Sequence, residues 1–232
     1  MRFPFGYFDK IYCINLKTRP DRWENCKKQF SLFGISNFQR FEAVKYNNPK
    51  LSKKANAQIG CALSHYQIIK EAKTKNYSRI LVLEDDFSFV QSPEILNIEL
   101  NKSIEQLPLD WHLFYLGAYF VKGYDYQPIE KYSNNLIKVN TGFCTHALSY
   151  SLLGVNKILE NLNLETESQI LYFSQEFEAI DWYFVRAFQY ENNCFASKEF
   201  LCGQLAGLSD IEGKVFDYFK YFSNSYSEFL GK

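Results

Sequence analysis

Apolar and polar positions alternate in blocks along this chain, and the block lengths predict an α/β protein. Residues 11–16 form a short, nearly all-apolar run, the pattern of a strand buried on both faces. The run stops at Lys17-Thr18-Arg19-Pro20, and Pro20 followed by Asp21 suits the first turn of a helix. Trp23, Phe30 and Phe33 continue at helical spacing until Gly34. Residues 41–44 read as a second strand, 46–58 as a polar, basic loop and 59–73 as an amphipathic helix. Residues 80–83 are the clearest strand, and they run directly into Glu84-Asp85-Asp86.

Further along, the pattern predicts a helix over about 95–106, a strand over 113–117 and a Tyr/Asn-rich loop over 121–135. A strand over 142–148 and helices over about 153–162 and 178–190 follow. In the tail, Phe216, Phe219, Phe222, Tyr226 and Phe229 recur at helical spacing. That stripe reads as core packing or as a homodimer contact. A peripheral membrane contact is a weaker alternative, because the polar face carries few Lys and Arg. No repeat or low-complexity linker divides the chain, so a single domain over residues 1–232 is expected. Its central part spans about 9–213 and its aromatic C-terminal helix about 214–231.

Composition narrows the function. With 26 Lys+Arg against 26 Asp+Glu, the net charge is zero, which argues against nucleic acid as a partner. The aromatic fraction is 18%, chiefly 22 Phe and 17 Tyr, and most of these are expected in the core. The six Cys show no C-x-x-C pair and no zinc-site spacing with the three His, which suits buried thiols in a reducing compartment. Asp9 and Lys10 interrupt the first apolar stretch, and no apolar run is long enough to span a bilayer. A soluble, cytoplasmic protein is expected.

The acidic cluster carries the strongest chemical signal. Ligand sites in open α/β sheets lie beyond the C-terminal ends of strands. Alternation along a strand would send Glu84 and Asp86 one way and Asp85 the other. Hard carboxylate oxygens there suit Mg²⁺ or Mn²⁺, whereas solvated acids capping the next helix would need no ion. Arg19 and Arg22 share a helical face and suit a phosphate or ribose, or else pair with Asp21 and Glu24. Asp181, between Ile180 and Trp182, suits a buried general base or a helix cap. His65 and His146 sit in apolar surroundings, where a histidine is more often structural.

Several segments together carry a resemblance. They are Ile14-Asn15-Leu16 with Arg19-Pro20-Asp21-Arg22-Trp23, and then Phe41-Glu42-Ala43-Val44. Ile59-Gly60-Cys61-Ala62-Leu63-Ser64-His65 and Glu84-Asp85-Asp86 come next, followed by Asn140-Thr141-Gly142, Ala179-Ile180-Asp181-Trp182 and Ser209-Asp210-Ile211. In this order the set resembles glycosyltransferase family 25, the lipooligosaccharide-biosynthesis and procollagen galactosyltransferase family. The resemblance implies a single GT-A-type, Rossmann-like α/β/α sandwich. It implies inverting transfer of a hexose from a UDP-sugar, with Mn²⁺ or Mg²⁺, to a glycan, lipid-linked saccharide or glycoprotein. Glu84 and Asp86 would hold the metal, and Asp181 would act as base, hold the acceptor or complete the metal shell. Asn15, Arg19, Arg22, Ser64, His65, Asp85, Ser209 and Asp210 would surround the donor.

Two positions depart from the family pattern: Gln58 stands where an acidic residue is common, and His146 where Tyr is common. Two other classes stay open on the sequence alone. One is a metal-dependent phosphohydrolase or nucleotidyl enzyme, which the absent P-loop disfavours. The other is a non-catalytic carbohydrate-binding protein on the same fold.

Overall fold

The computed structural model describes residues 4–121, 128–208, 211, 213 and 215–231. β1 (Lys10–Asn15) is buried along all but its first residue. α1 (Pro20–Leu32) starts with Pro in its first turn, and the chain leaves it through Gly34 at φ +64°, a left-handed exit that glycine adopts without strain. β2 (Phe38–Glu42) lies parallel to β1, slightly before the predicted strand, because Glu42 is already paired with Asn15 at the end of β1.

α2 (Lys53–Lys75) takes in part of the predicted 46–58 loop. Ser52 Oγ caps it by accepting the Ala55 N–H at 3.0 Å, and the Asn56 amide ties its first turn to the Asn48 backbone. The polar residues at 53–58 are therefore the solvated first turns of a helix. β3 (Arg79–Glu84) ends at Glu84, and a tight turn leads into β4 (Phe87–Phe89) and α3 (Pro93–Gln106), capped by Ser92.

β5 (Leu113–Tyr115) and β6 (Tyr119–Phe120) follow. The predicted 121–135 loop instead contains β7 (Ile129–Lys131), which pairs with β8 (Leu136–Val139). Residues 122–127 of that loop lie outside the described residues. The strand expected over 142–148 is two strands, β9 (Gly142–Phe143) and β10 (Ala147–Ser151), broken at Cys144 with φ +71°. β9 pairs with β6, and β10 joins the main sheet.

α4 (Leu152–Asn161), α5 (Glu167–Phe177) and α6 (Ile180–Ala187) cover one face. β11 (Cys194–Ser197) then enters the sheet between β5 and β8, and β12 (Cys202–Gln204) pairs with β4. β13 (Gly207–Leu208) and β14 (Val215–Phe216) form a short ribbon before α7 (Tyr218–Leu230).

The main sheet has eight strands in the order β2-β1-β3-β10-β5-β11-β8-β7. β10 and β8 run against the others. Alternation along β1 sends Tyr12 and Ile14 into one core, with α2, α4, α5 and α6, and Ile11 and Cys13 into the other, with α1 and α3. The fold is thus an α/β/α sandwich. β1 and β3 are adjacent and parallel, so Asn15 and Glu84 emerge side by side at one sheet edge.

Candidate active site

Where β1 and β3 end, the wall of a cavity of about 660 Å³ begins. Glu84 faces it from the end of β3, Asp85 and Asp86 from the turn that follows, and Asp181 from the first turn of α6.

Each acid has a distinct environment. Asp85 turns toward α1 and accepts from Arg22 Nη1 at 2.7 Å and from Asn15 Nδ2 at 2.5 Å. Arg40 Nη2 in turn donates to Asn15 Oδ1. Burial still pushes the Asp85 carboxyl up, against the lowering effect of Arg22 and Asn15. Glu84 turns toward α2: its Oε1 accepts from Thr145 Oγ1 at 2.6 Å and lies 3.2 Å from His65 Nε2. Burial works to raise its carboxyl, but His65 and Thr145 together leave it below its ordinary value.

Asp86 has the weakest support. Arg22 Nη1 is 3.5 Å away, and Gln204 Nε2 is 3.4 Å away. Burial, then the neighbouring Glu84 charge, pushes its carboxyl up to about 7. Asp181 accepts from its own helix at Trp182 N–H, 2.9 Å, and from Cys144 N–H, 3.3 Å. Burial nonetheless raises it.

Strained backbone brackets Asp181. Cys144, which donates to it, has φ +71°. Glu178 sits at φ +63°, ψ −52°, in a tight γ-turn closed by Ala179 N–H to Phe177 C=O at 2.7 Å. Such conformations persist only where the surroundings impose them, and both residues line the cavity. Exposed Lys45, Lys53 and Lys54 line the same cavity as the acids and Arg22. One concavity therefore holds a carboxylate cluster suited to a hard cation and a basic rim suited to an anion.

Residues 8–224 match the family described as Glycosyltransferase family 25 (LPS biosynthesis protein). The chain belongs to glycosyltransferase family 25. It is 28% identical over 171 residues to procollagen galactosyltransferase 2 of Homo sapiens, a match covering 66% of this chain and 27% of that protein. It is 27% identical to the human inactive glycosyltransferase 25 family member 3, covering 66% of this chain and 29% of the relative. The chain thus spans less than a third of the length of these relatives. Among solved structures it is similar to a glycosyltransferase involved in glycosylation of the major capsid of PBCV-1. That likeness has TM-score 0.37 and 10% identity, and covers 81% of this chain and 92% of the other.

In this family-25 chain, the residues singled out by sequence fall into three groups. Arg22, Ser64, Glu84, Asp85, Asp86 and Asp181 line the cavity. Asn15, Arg19 and His65 stand behind or beside its wall. Asn15 anchors Asp85, Arg19 pairs with Asp21 at 2.9 Å, and fully buried His65 supports Glu84. Ser64 itself is a fastener: it accepts the Val44 N–H at 2.8 Å and donates to the Gly60 carbonyl at 2.7 Å. Ser209 and Asp210 lie outside the described residues.

Of the two departures, Gln58 lines the cavity. His146 is fully buried, donates from Nε2 to the Cys202 carbonyl at 3.0 Å and packs edge-on against Phe222. Thr145, Gln204, Cys61 and the three lysines were not marked by sequence, because each gains its role only from what the fold places opposite it. No helix among the described residues is long and apolar enough to cross a membrane.

Proposed function

We propose that this domain is an inverting glycosyltransferase that moves a hexose from a UDP-sugar to a hydroxyl of a glycan, lipid-linked saccharide or glycoprotein. The carrying observation is that the Glu84–Asp86 cluster, Asp181 and the basic rim share one cavity in a family-25 fold.

The donor set fits a divalent cation. Glu84 and Asp86 offer hard oxygens, and Asp86 is a carboxyl whose ionised form is disfavoured by burial and by Glu84 until positive charge arrives. Mn²⁺ or Mg²⁺ held there would supply Lewis-acid stabilisation of the departing diphosphate. Arg22 and the lysine rim oppose the same negative charge. Arg22 also fixes Asp85, and so sets the turn on which Asp86 sits.

In this reading Asp181 acts as the base. Its raised carboxyl retains proton affinity, and two backbone N–H groups fix its direction. The acceptor oxygen bonds to the anomeric carbon as the bond from that carbon to the phosphate oxygen breaks. The hydroxyl proton goes to Asp181, and inversion follows from attack opposite the leaving group.

The test is UDP release from UDP-galactose, UDP-glucose and UDP-N-acetylglucosamine, with Mn²⁺ and with chelator, since many transferases slowly pass sugar to water. Chelator-sensitive release from one donor is expected, falling by about 10²–10⁴ in Asp181→Asn. Silence together with no UDP-induced thermal stabilisation would sink the proposal and favour a non-catalytic role; one relative of this chain is named inactive.

A further inference from the structure

Sequence spacing gave no zinc site, yet the fold assembles three mixed donor atoms beside the acidic cluster. Cys61 and His65 are four residues apart on α2 and so share a face. Glu84 at the end of β3 closes the group, and Cys61 Sγ, His65 Nε2 and a Glu84 oxygen all lie within 4.8 Å of one another. His65 Nε2 is 3.2 Å from Glu84 Oε1, and Cys61 Sγ is 3.9 Å from the same oxygen. In a tetrahedral zinc site, bond lengths of about 2.0–2.3 Å put neighbouring N and O donors about 3.3 Å apart and S and O donors about 3.5 Å apart. The His65–Glu84 separation thus already matches such a site, the Cys61–Glu84 separation exceeds it by a few tenths of an ångström, and Cys61 Sγ and His65 Nε2, within 4.8 Å of each other, would close onto the ion.

We propose that Cys61, His65 and Glu84 form a binding site for a thiophilic divalent cation of the Zn²⁺ class, distinct in chemistry from the oxygen-only Mn²⁺ or Mg²⁺ site. Thiolate and imidazole favour Zn²⁺ over harder cations. The supporting shell is in place. His65 Nδ1 is 3.0 Å from the Tyr150 hydroxyl, which can donate or accept and so matches either imidazole tautomer. Thr145 Oγ1 donates to Glu84 and fixes its direction.

Cys61 and Glu84 line the cavity, while His65 is fully buried, so an ion enters from the cavity side and keeps one position open to it. On binding, the Cys61 thiol proton leaves to solvent and the His65 ring carries its hydrogen on Nδ1, donating to Tyr150. Net, one proton is released per ion. The only residue shared with the proposed catalytic metal site is Glu84, so occupation by Zn²⁺ withdraws that ligand from the harder ion.

The experiment uses the full chain, Zn²⁺ in competition with a chromophoric chelator, and Co²⁺ as a spectroscopic stand-in. One equivalent of Zn²⁺ and a thiolate-to-cobalt charge-transfer band are expected. Cys61→Ser should abolish the band and weaken Zn²⁺ binding by more than about 100-fold. Tyr150→Phe should weaken it by roughly 10–100-fold, as loss of outer support does. Asp86→Asn should keep Zn²⁺ affinity, which separates this site from the catalytic one. Should Cys61→Ser fail to fold, mass-spectrometric alkylation of the unmodified chain replaces it, with Zn²⁺ expected to protect Cys61. Wild-type chain that cannot compete with the chelator, Cys61→Ser with full affinity, or Cys61 alkylated equally with and without Zn²⁺ would each overturn the site.

Discussion

Asp86 concentrates the electrostatic tension of the cavity. It sits beside Glu84 and Asp85 with only long contacts to Arg22 and Gln204, and its carboxyl is raised to about 7 from 3.8. The native chain therefore holds a proton there that the unfolded chain has already released. Native protons exceed unfolded protons between about pH 4 and about pH 7, so this residue makes stability fall as pH rises through that window. Asp86→Asn removes the effect. In metal-free buffer the variant is expected to be more stable than wild type by roughly 2–4 kcal/mol at pH 8 and by less at pH 5. Urea midpoints at the two pH values check this, and an equal offset at both would show that ionising the buried carboxyl beside Glu84 is not the cause. The same variant should lose metal-supported UDP binding, because its amide is a far poorer ligand for a hard cation.

At the scale of elements, the site depends on how closely α2 approaches the segment after β2. Gly60 makes that approach: a Cβ there would stand 2.5 Å from the Val44 carbonyl oxygen. Ser64, one turn later, locks the same segment through the Val44 N–H. Gly60→Ala should push α2 away from residues 43–46, costing about 1–3 kcal/mol. Thermal unfolding and UDP titration would report it, with both stability and affinity falling; a normal affinity would detach this contact from the site. α2 also illustrates how polarity misleads. Lys53, Lys54 and Asn56 suggested a loop, but Ser52 and Asn56 supply the side-chain bonds that start a helix there. α5 and β11 gave no clear sequence signal. α5 rests on a capping box between Thr166 and Gln169, and β11 is only four residues long. A strand that short has room for no periodicity and is specified by β5 and β8 on either side.

At the scale of the whole molecule, α7 is part of the core. Phe222 and Tyr226 are each 1% exposed, and they pack with Phe120 and Phe200. Ser225 Oγ accepts the Phe120 N–H at 3.4 Å. Truncation after Asp217 would strip two buried aromatics, so a loss of about 3 kcal/mol or more is expected. A lower urea midpoint is the readout, and an unchanged one would return the aromatic stripe to the role of an external docking face. The apolar runs at β1, β3 and β5 and the helical stripes of α1, α4 and α6 were legible without coordinates, because local periodicity records which face is buried. So was the acidic triplet, since an apolar strand that ends in three carboxylates places them at a sheet edge in almost any α/β arrangement. Periodicity carries no information about which distant segments become neighbours. Only the tertiary structure decided that Arg22 would neutralise Asp85 while Asp86 stayed nearly unsupported. It likewise decided that His65 would support Glu84 from behind the wall, and that Cys61 would complete a mixed set of donors with both. Charge and ligand chemistry depend on separations of a few ångströms between residues tens of positions apart, and the packing of α1 and α2 on opposite faces of the sheet sets those separations.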